Sequence, residues 1–140
     1  MSVQAILLPV FALVALTFFT LLRTAMTRVS ALKAGEVKLR DIALGQSAWP
    51  TNVQQISNSY ENLMQLPALF YALTIFAMLT KKADLLFVIM AWLFVATRYA
   101  HALIHQTSNN VPRRFQAFSA GVVLLVAMWV IFAVRILAFA

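Results

Sequence analysis

The sequence predicts an all-α integral membrane protein: a bundle of four transmembrane helices built by residues 1–140 as one domain. Hydrophobic residues make up 63% of the 140 and charged residues only 11%, whereas a soluble domain carries about 25% charged residues. The apolar residues are also gathered into four runs, 5–22, 63–79, 85–104 and 118–134, each close to the roughly 20 residues that a helix needs to cross the hydrocarbon core. Inside lipid the backbone must satisfy its own hydrogen bonds, and continuous runs without strand alternation do so as helices.

The first run starts near the N-terminus without a positively charged stretch before it and is longer than a secretory h-region, so it is expected to be a retained helix. Segment 23–61 is the longest polar stretch. Thr51, followed three positions later by Gln54, has the spacing of a capping box and predicts that the second helix starts well before its apolar part. Pro67 falls inside the second run, where its ring removes a backbone donor and predicts a bend beside Gln65. Segment 80–84 is short, with Asp84 placed to cap the third helix, which predicts that the second and third helices form a tight antiparallel pair. Segment 105–114 ends with Pro112 in a position suited to the first turn of the fourth helix.

Basic residues set the expected orientation. Arg23, Arg28, Lys33, Lys38, Arg40, Arg113 and Arg114 fall on one side of the bilayer, and Lys81, Lys82 and Arg135 on the other. Cytoplasmic segments retain positive charge, so segments 23–61 and 105–114 are expected inside and both chain ends outside. Arg135 lies where it can snorkel to the interface and has no catalytic role in this reading. The net charge of +7 thus serves the membrane surface. Neither an aromatic-interleaved basic strand nor a recognition helix points to nucleic acid.

Polar residues near the basic side recur at helical spacing. Asn58, Glu61, Asn62 and Gln65 follow i, i+3, i+4, i+7 on the second helix. Arg98, His101 and His105 follow i, i+3, i+7 on the third. Polar side chains in a membrane helix also serve as interhelical glue, worth about 0.6 kcal/mol each. For Asn58 and Asn62 that structural role and a ligand role stand side by side. Ionisable groups within a span are costly and mark functional sites facing the bundle interior or a cavity. With Arg113 and Arg114 opening the fourth helix and Lys38 and Arg40 in segment 23–61, they predict a cationic pocket for an anionic ligand bearing carboxylates or a thiolate. Because the chain has no cysteine, any thiol has to arrive on a substrate. Two histidines without a nearby cysteine or carboxylate do not make a metal site. No serine sits in a nucleophile motif, which argues against a hydrolase.

The strings Gly35-Glu36-Val37-Lys38-Leu39-Arg40, Asn62-Leu63-Met64-Gln65-Leu66-Pro67, Arg98-Tyr99-Ala100-His101-Ala102-Leu103-Ile104-His105 and Arg113-Arg114-Phe115 occur in an order and spacing that resemble the MAPEG family, membrane-associated proteins in eicosanoid and glutathione metabolism. The resemblance spans nearly the whole chain and is to a bacterial-type, inner-membrane member. It implies a homotrimer that binds glutathione as co-substrate between subunits, at a site open to the cytoplasm, and transfers it to a lipophilic small molecule. Under it, Arg114 takes the place of the arginine that stabilises the glutathione thiolate. Lys38, Asn62, Gln65, Arg98, His101, His105 and Arg113 are the glutathione-binding candidates. Three positions depart from the family pattern: Gln65 stands where a glutamate is usual, Glu61 directly precedes Asn62, and His105 stands in place of a tyrosine.

The same residues admit two other functions. One is a non-enzymatic scaffold or binder of anionic lipid headgroups, with the same arginines on phosphate. The other is a small multidrug transporter, which needs an acidic residue in its first helix; residues 5–22 contain none.

Overall fold

The computed structural model describes residues 1–44 and 48–138. Its elements are α1 (Val3–Lys33), the single-turn α2 (Leu39–Ile42), α3 (Thr51–Leu79), α4 (Leu85–Gln106) and α5 (Val111–Ala138). Four of these, α1, α3, α4 and α5, are long and apolar enough to cross a membrane.

The helix ends follow from local chemistry. Ser2 caps α1 by accepting from the Ala5 amide at 3.1 Å. At the other end Gly35 adopts φ +75°, the Gly35 amide donates to Leu32 (3.2 Å) and the Glu36 amide to Ala31 (3.0 Å). This is the Schellman arrangement, in which glycine accepts the left-handed backbone without penalty. α1 therefore runs beyond its apolar part to Lys33, so the polar stretch that starts at Arg23 is helical in its first third. The expected capping box at Thr51 does not form. Pro50, with extended ψ, takes the cap position, and Thr51 is already helical; Gln54 donates instead to Asn58 Oδ1 at 2.7 Å. Asp84 does cap α4, accepting from the Phe87 amide at 3.0 Å. Asn110 caps α5 through the Arg113 amide at 3.1 Å, which leaves Pro112 in the first turn. Pro67 is buried inside α3, which continues through it as helix.

α4 touches all three other spans, packing most extensively on α5, while α1 packs most extensively on α3. α3 and α4 meet less extensively than their short connection predicts. The core is formed by Leu13, Phe70, Leu73, Ala91 and Phe94, all fully buried, with the Phe70 and Phe94 rings 5.0 Å apart. Phe11, Phe18 and Phe19 on α1 and Val123, Val126 and Val130 on α5 are exposed. In a bilayer this apolar exterior meets acyl chains, and packing together with polar contacts holds the helices. The chain between α1 and α3 folds back on their ends: Val37 and Trp49 pack with Ala31 and Val53, and the Arg28 guanidinium sits 4.9 Å over the Trp49 ring.

At the opposite end of the bundle Arg135 closes an ion pair with Asp84 at 2.9 Å. Its other nitrogen donates to the Lys82 carbonyl at 3.4 Å. The pair ties α5 to the α3–α4 turn, and hydrogen bonding to Arg135 holds the Asp84 carboxyl below its ordinary value. A depressed carboxyl stabilises the fold above its unfolded-state pKa of about 4 and loses that contribution as pH falls through the lower folded value. Asp84→Asn keeps a good cap and removes the charge. We expect it to cost less than about 1 kcal/mol at neutral pH, since the pair is half exposed. In thermal unfolding in detergent, the gap between wild type and variant should close below pH 4.

Candidate functional site

The two polar stripes and the start of α5 converge at the basic end of the bundle. Asn58 and Asn62 of α3, His101 and His105 of α4, and Val111, Arg114, Phe115 and Phe118 of α5 line a groove of about 370 Å³. It lies within the size range of small-molecule sites and has no acidic residue in its lining.

α4 presents His101 and His105 one turn apart, with ring centres 5.4 Å from each other at 77°. His101 also packs on the Phe118 ring at 5.8 Å. Both imidazoles are almost wholly buried. His105 Nδ1 and Asn62 Oδ1 are buried without a hydrogen-bond partner, and an unsatisfied buried polar atom costs about 1–3 kcal/mol. These two atoms are capacity for a ligand. Arg114 is held at the mouth of the groove by Nη1 donating to Asn109 Oδ1 at 2.7 Å. Asn109 sits in the turn before α5 at φ +49°, a left-handed conformation that asparagine tolerates better than most side chains.

Arg98 does not line the groove; it lies beneath it, fully buried. Nη2 donates to the Ala117 and Phe118 carbonyls of α5 at 3.1 and 3.3 Å, and the guanidinium carbon lies 5.5 Å from both the Phe94 and Phe118 rings. Arg98 Nη1 has no partner. Among the described residues the ion pairs are Arg40–Asp41 and Arg135–Asp84, so this buried cation adds an uncompensated positive field under the groove. Gly121 makes room for it: a Cβ there would collide with the guanidinium and lie 2.8 Å from Thr97 Oγ1.

Of the residues singled out from sequence, Asn62, His101, His105 and Arg114 come together, with Arg98 as their base. Gln65 is exposed outside the groove, Arg113 is exposed at the start of α5, and Lys38 is exposed at the cap of α2. None of the three joins the groove within one chain. Sequence reasoning missed a second polar cluster. Gln106 donates to Thr20 Oγ1 (3.0 Å) and Ser59 Oγ (3.1 Å) and accepts from Arg23 Nη1 at 2.9 Å, joining α1, α3 and α4. Its signal was present in Thr20, Arg23 and Thr24 at i, i+3, i+4, a polar face where α1 leaves its apolar run.

A model of the MAPEG family matches residues 6–134 of the chain. No curated protein and no solved structure matches it.

Gly121→Ala should be destabilising, chiefly through the collision with Arg98 and also through Thr97 Oγ1. Overpacking of this kind costs about 1–3 kcal/mol, and the double variant Gly121→Ala with Arg98→Met should recover part of the loss in denaturation assays.

Proposed function

The chain belongs to the MAPEG family, and from that premise we propose that it is a membrane-embedded glutathione-dependent transferase or peroxidase acting on lipophilic electrophiles. The observation that carries the reading is the convergence of Arg114, His101, His105 and Asn62 on a groove without a carboxylate.

Glutathione brings two carboxylates, amide and ammonium donors, and a thiol. The chemistry of the groove fits this set. Arg114 offers a forked cation to carboxylate or thiolate, and the unpartnered Asn62 Oδ1 and His105 Nδ1 offer acceptors to the peptide's N–H groups. A guanidinium beside the sulfur favours thiolate over thiol. The thiol proton leaves to solvent, and the sulfur attacks an electrophilic carbon that has diffused in from the bilayer. A C–S bond forms, and the electron pair displaced from carbon departs with the leaving group or is quenched by a proton. In the peroxidase variant the thiolate sulfur attacks the terminal oxygen of a lipid hydroperoxide, the O–O bond breaks and the alkoxide leaves as alcohol after taking a proton. A second glutathione thiolate then attacks the sulfenic sulfur, displacing hydroxide as water and giving the disulfide.

The reading includes a homotrimer in which a neighbouring subunit covers the open side of the groove and brings its own Lys38, exposed here, towards the ligand. Arg113 and Gln65 are assigned the same peripheral role. The basic end faces the cytoplasm, where glutathione is, and the membrane is a bacterial inner membrane.

Calorimetric titration of the detergent-solubilised protein should give saturable glutathione binding and a rise in thiolate ultraviolet absorbance. Arg114→Ala should weaken binding by roughly 10-fold or more, the equivalent of a lost charge-assisted hydrogen bond of about 1.5–3 kcal/mol. The absence of both signals in the wild type sinks the proposal. Asn109→Gly keeps the left-handed turn but frees Arg114. It should weaken glutathione binding less than Arg114→Ala does, because the charge stays while its position is lost.

One observation favours a second reading. Glu61 and Gln65 are both exposed and no acid in the groove receives an ammonium, so a simple anion such as a lipid phosphate also suits Arg114. Native mass spectrometry showing phospholipid on the wild type, lost in Arg114→Ala, and no glutathione adduct would select that reading.

A further inference from the structure

On the other side of α4 lies a larger groove, about 520 Å³, between α1 and α4. Its lining is apolar except for Tyr99 and Gln106, and includes Leu16, Phe19, Ala100 and Leu103. Both ends are closed by a polar contact between the same two helices. At the end towards the termini, the Tyr99 hydroxyl donates to the Ala12 carbonyl at 2.6 Å. At the basic end, Arg23 Nη1 donates to Gln106 Oε1 at 2.9 Å.

The residues on α1 share one face. Ala15, Phe19 and Arg23 follow at i, i+4, i+8, so the guanidinium stands one turn beyond the last apolar wall of the groove. From Ala12 to Arg23 the helix rises about 16 Å at about 1.5 Å per residue, which is half of a hydrocarbon core of about 30 Å. Arg23 has a neutral amide as its hydrogen-bond partner and no place in either ion pair of the described residues. Gln106 fixes its position from a second helix.

We propose that this groove binds an anionic phospholipid from the leaflet at the basic end. One acyl chain lies between α1 and α4, and the phosphate is met by Arg23. The match is one of length and charge together: a channel one leaflet deep, apolar along its walls and cationic at the headgroup level. The site shares no lining residue with the groove that holds Arg114, so each succeeds or fails independently of the other.

The test is native mass spectrometry of the full chain, released from nanodiscs of equal parts phosphatidylglycerol and phosphatidylcholine. The wild type is expected to retain phosphatidylglycerol over phosphatidylcholine by about five-fold, the preference that one headgroup-level arginine confers. Arg23→Gln should abolish the preference and Arg23→Lys should largely keep it. Ala100→Trp, which fills the groove, should reduce retention of both lipids, while Arg114→Ala should leave the pattern unchanged. Equal retention of the two lipids by the wild type, an unchanged preference in Arg23→Gln, loss of the lipid only in Arg114→Ala, or retention of free fatty acid in place of phospholipid each overturns the proposal.

Discussion

A lipid bilayer offers no hydrogen bonds, and this governs where every polar side chain within the spans can go. Arg98 is the extreme case. Its guanidinium cannot face acyl chains, so it turns into the bundle and takes the Ala117 and Phe118 carbonyls of α5 as acceptors. That bond pair ties α4 to α5 at the depth where the groove opens. It demands glycine at position 121, and it sets the level at which His101, His105 and Arg114 meet. The same constraint at the α1 side gathers Thr20, Arg23 and Ser59 around Gln106. Two polar layers at one end of an otherwise apolar bundle are the result.

These layers differ in what they leave unfilled. Around Gln106 the amide and the Thr20 and Ser59 hydroxyls pair with one another and hold three helices together, and only Nη1 of Arg23 is engaged there. In the groove they do not close, since Asn62 Oδ1 and His105 Nδ1 have no partner. A structural polar cluster is stabilised by satisfying its members, whereas a binding site holds some of them open for a ligand. That contrast separates the Gln106 amide, which is glue, from the Asn62 amide, which is part of the site, more sharply than residue type does.

Much of this was legible in the sequence. The four spans follow from composition and run length, and the stripes at Asn58–Gln65 and Arg98–His105 follow from helical period. Asp84 and Pro112 announced their helix ends correctly. The misses have specific causes. The polar stretch after Leu22 hid eleven more residues of α1, because the helix outlasts its apolar run and ends only where Gly35 takes the left-handed backbone. Thr51 had the spacing of a capping residue, but Pro50 already supplied the extended backbone that a cap needs. Gln65 shares its stripe with Asn62, yet it is exposed while Asn62 is half-buried. Which members of a stripe reach the groove depends on where the neighbouring helix crosses, and sequence spacing does not carry that information. The Gln106 cluster shows in the sequence only as the polar face of Thr20, Arg23 and Thr24 on α1, and the meeting of three helices on Gln106 lies beyond any single-helix pattern.

The central claim is that side chains from α3, α4 and α5 form one anion-receiving site. Nitrogen NMR of protein labelled at histidine and arginine, in lipid nanodiscs under glutathione titration, tests it most directly. The account predicts that the His101, His105 and Arg114 side-chain resonances shift together along a single saturation curve, with Arg135 unmoved. Saturable glutathione binding that leaves those three resonances in place would contradict it.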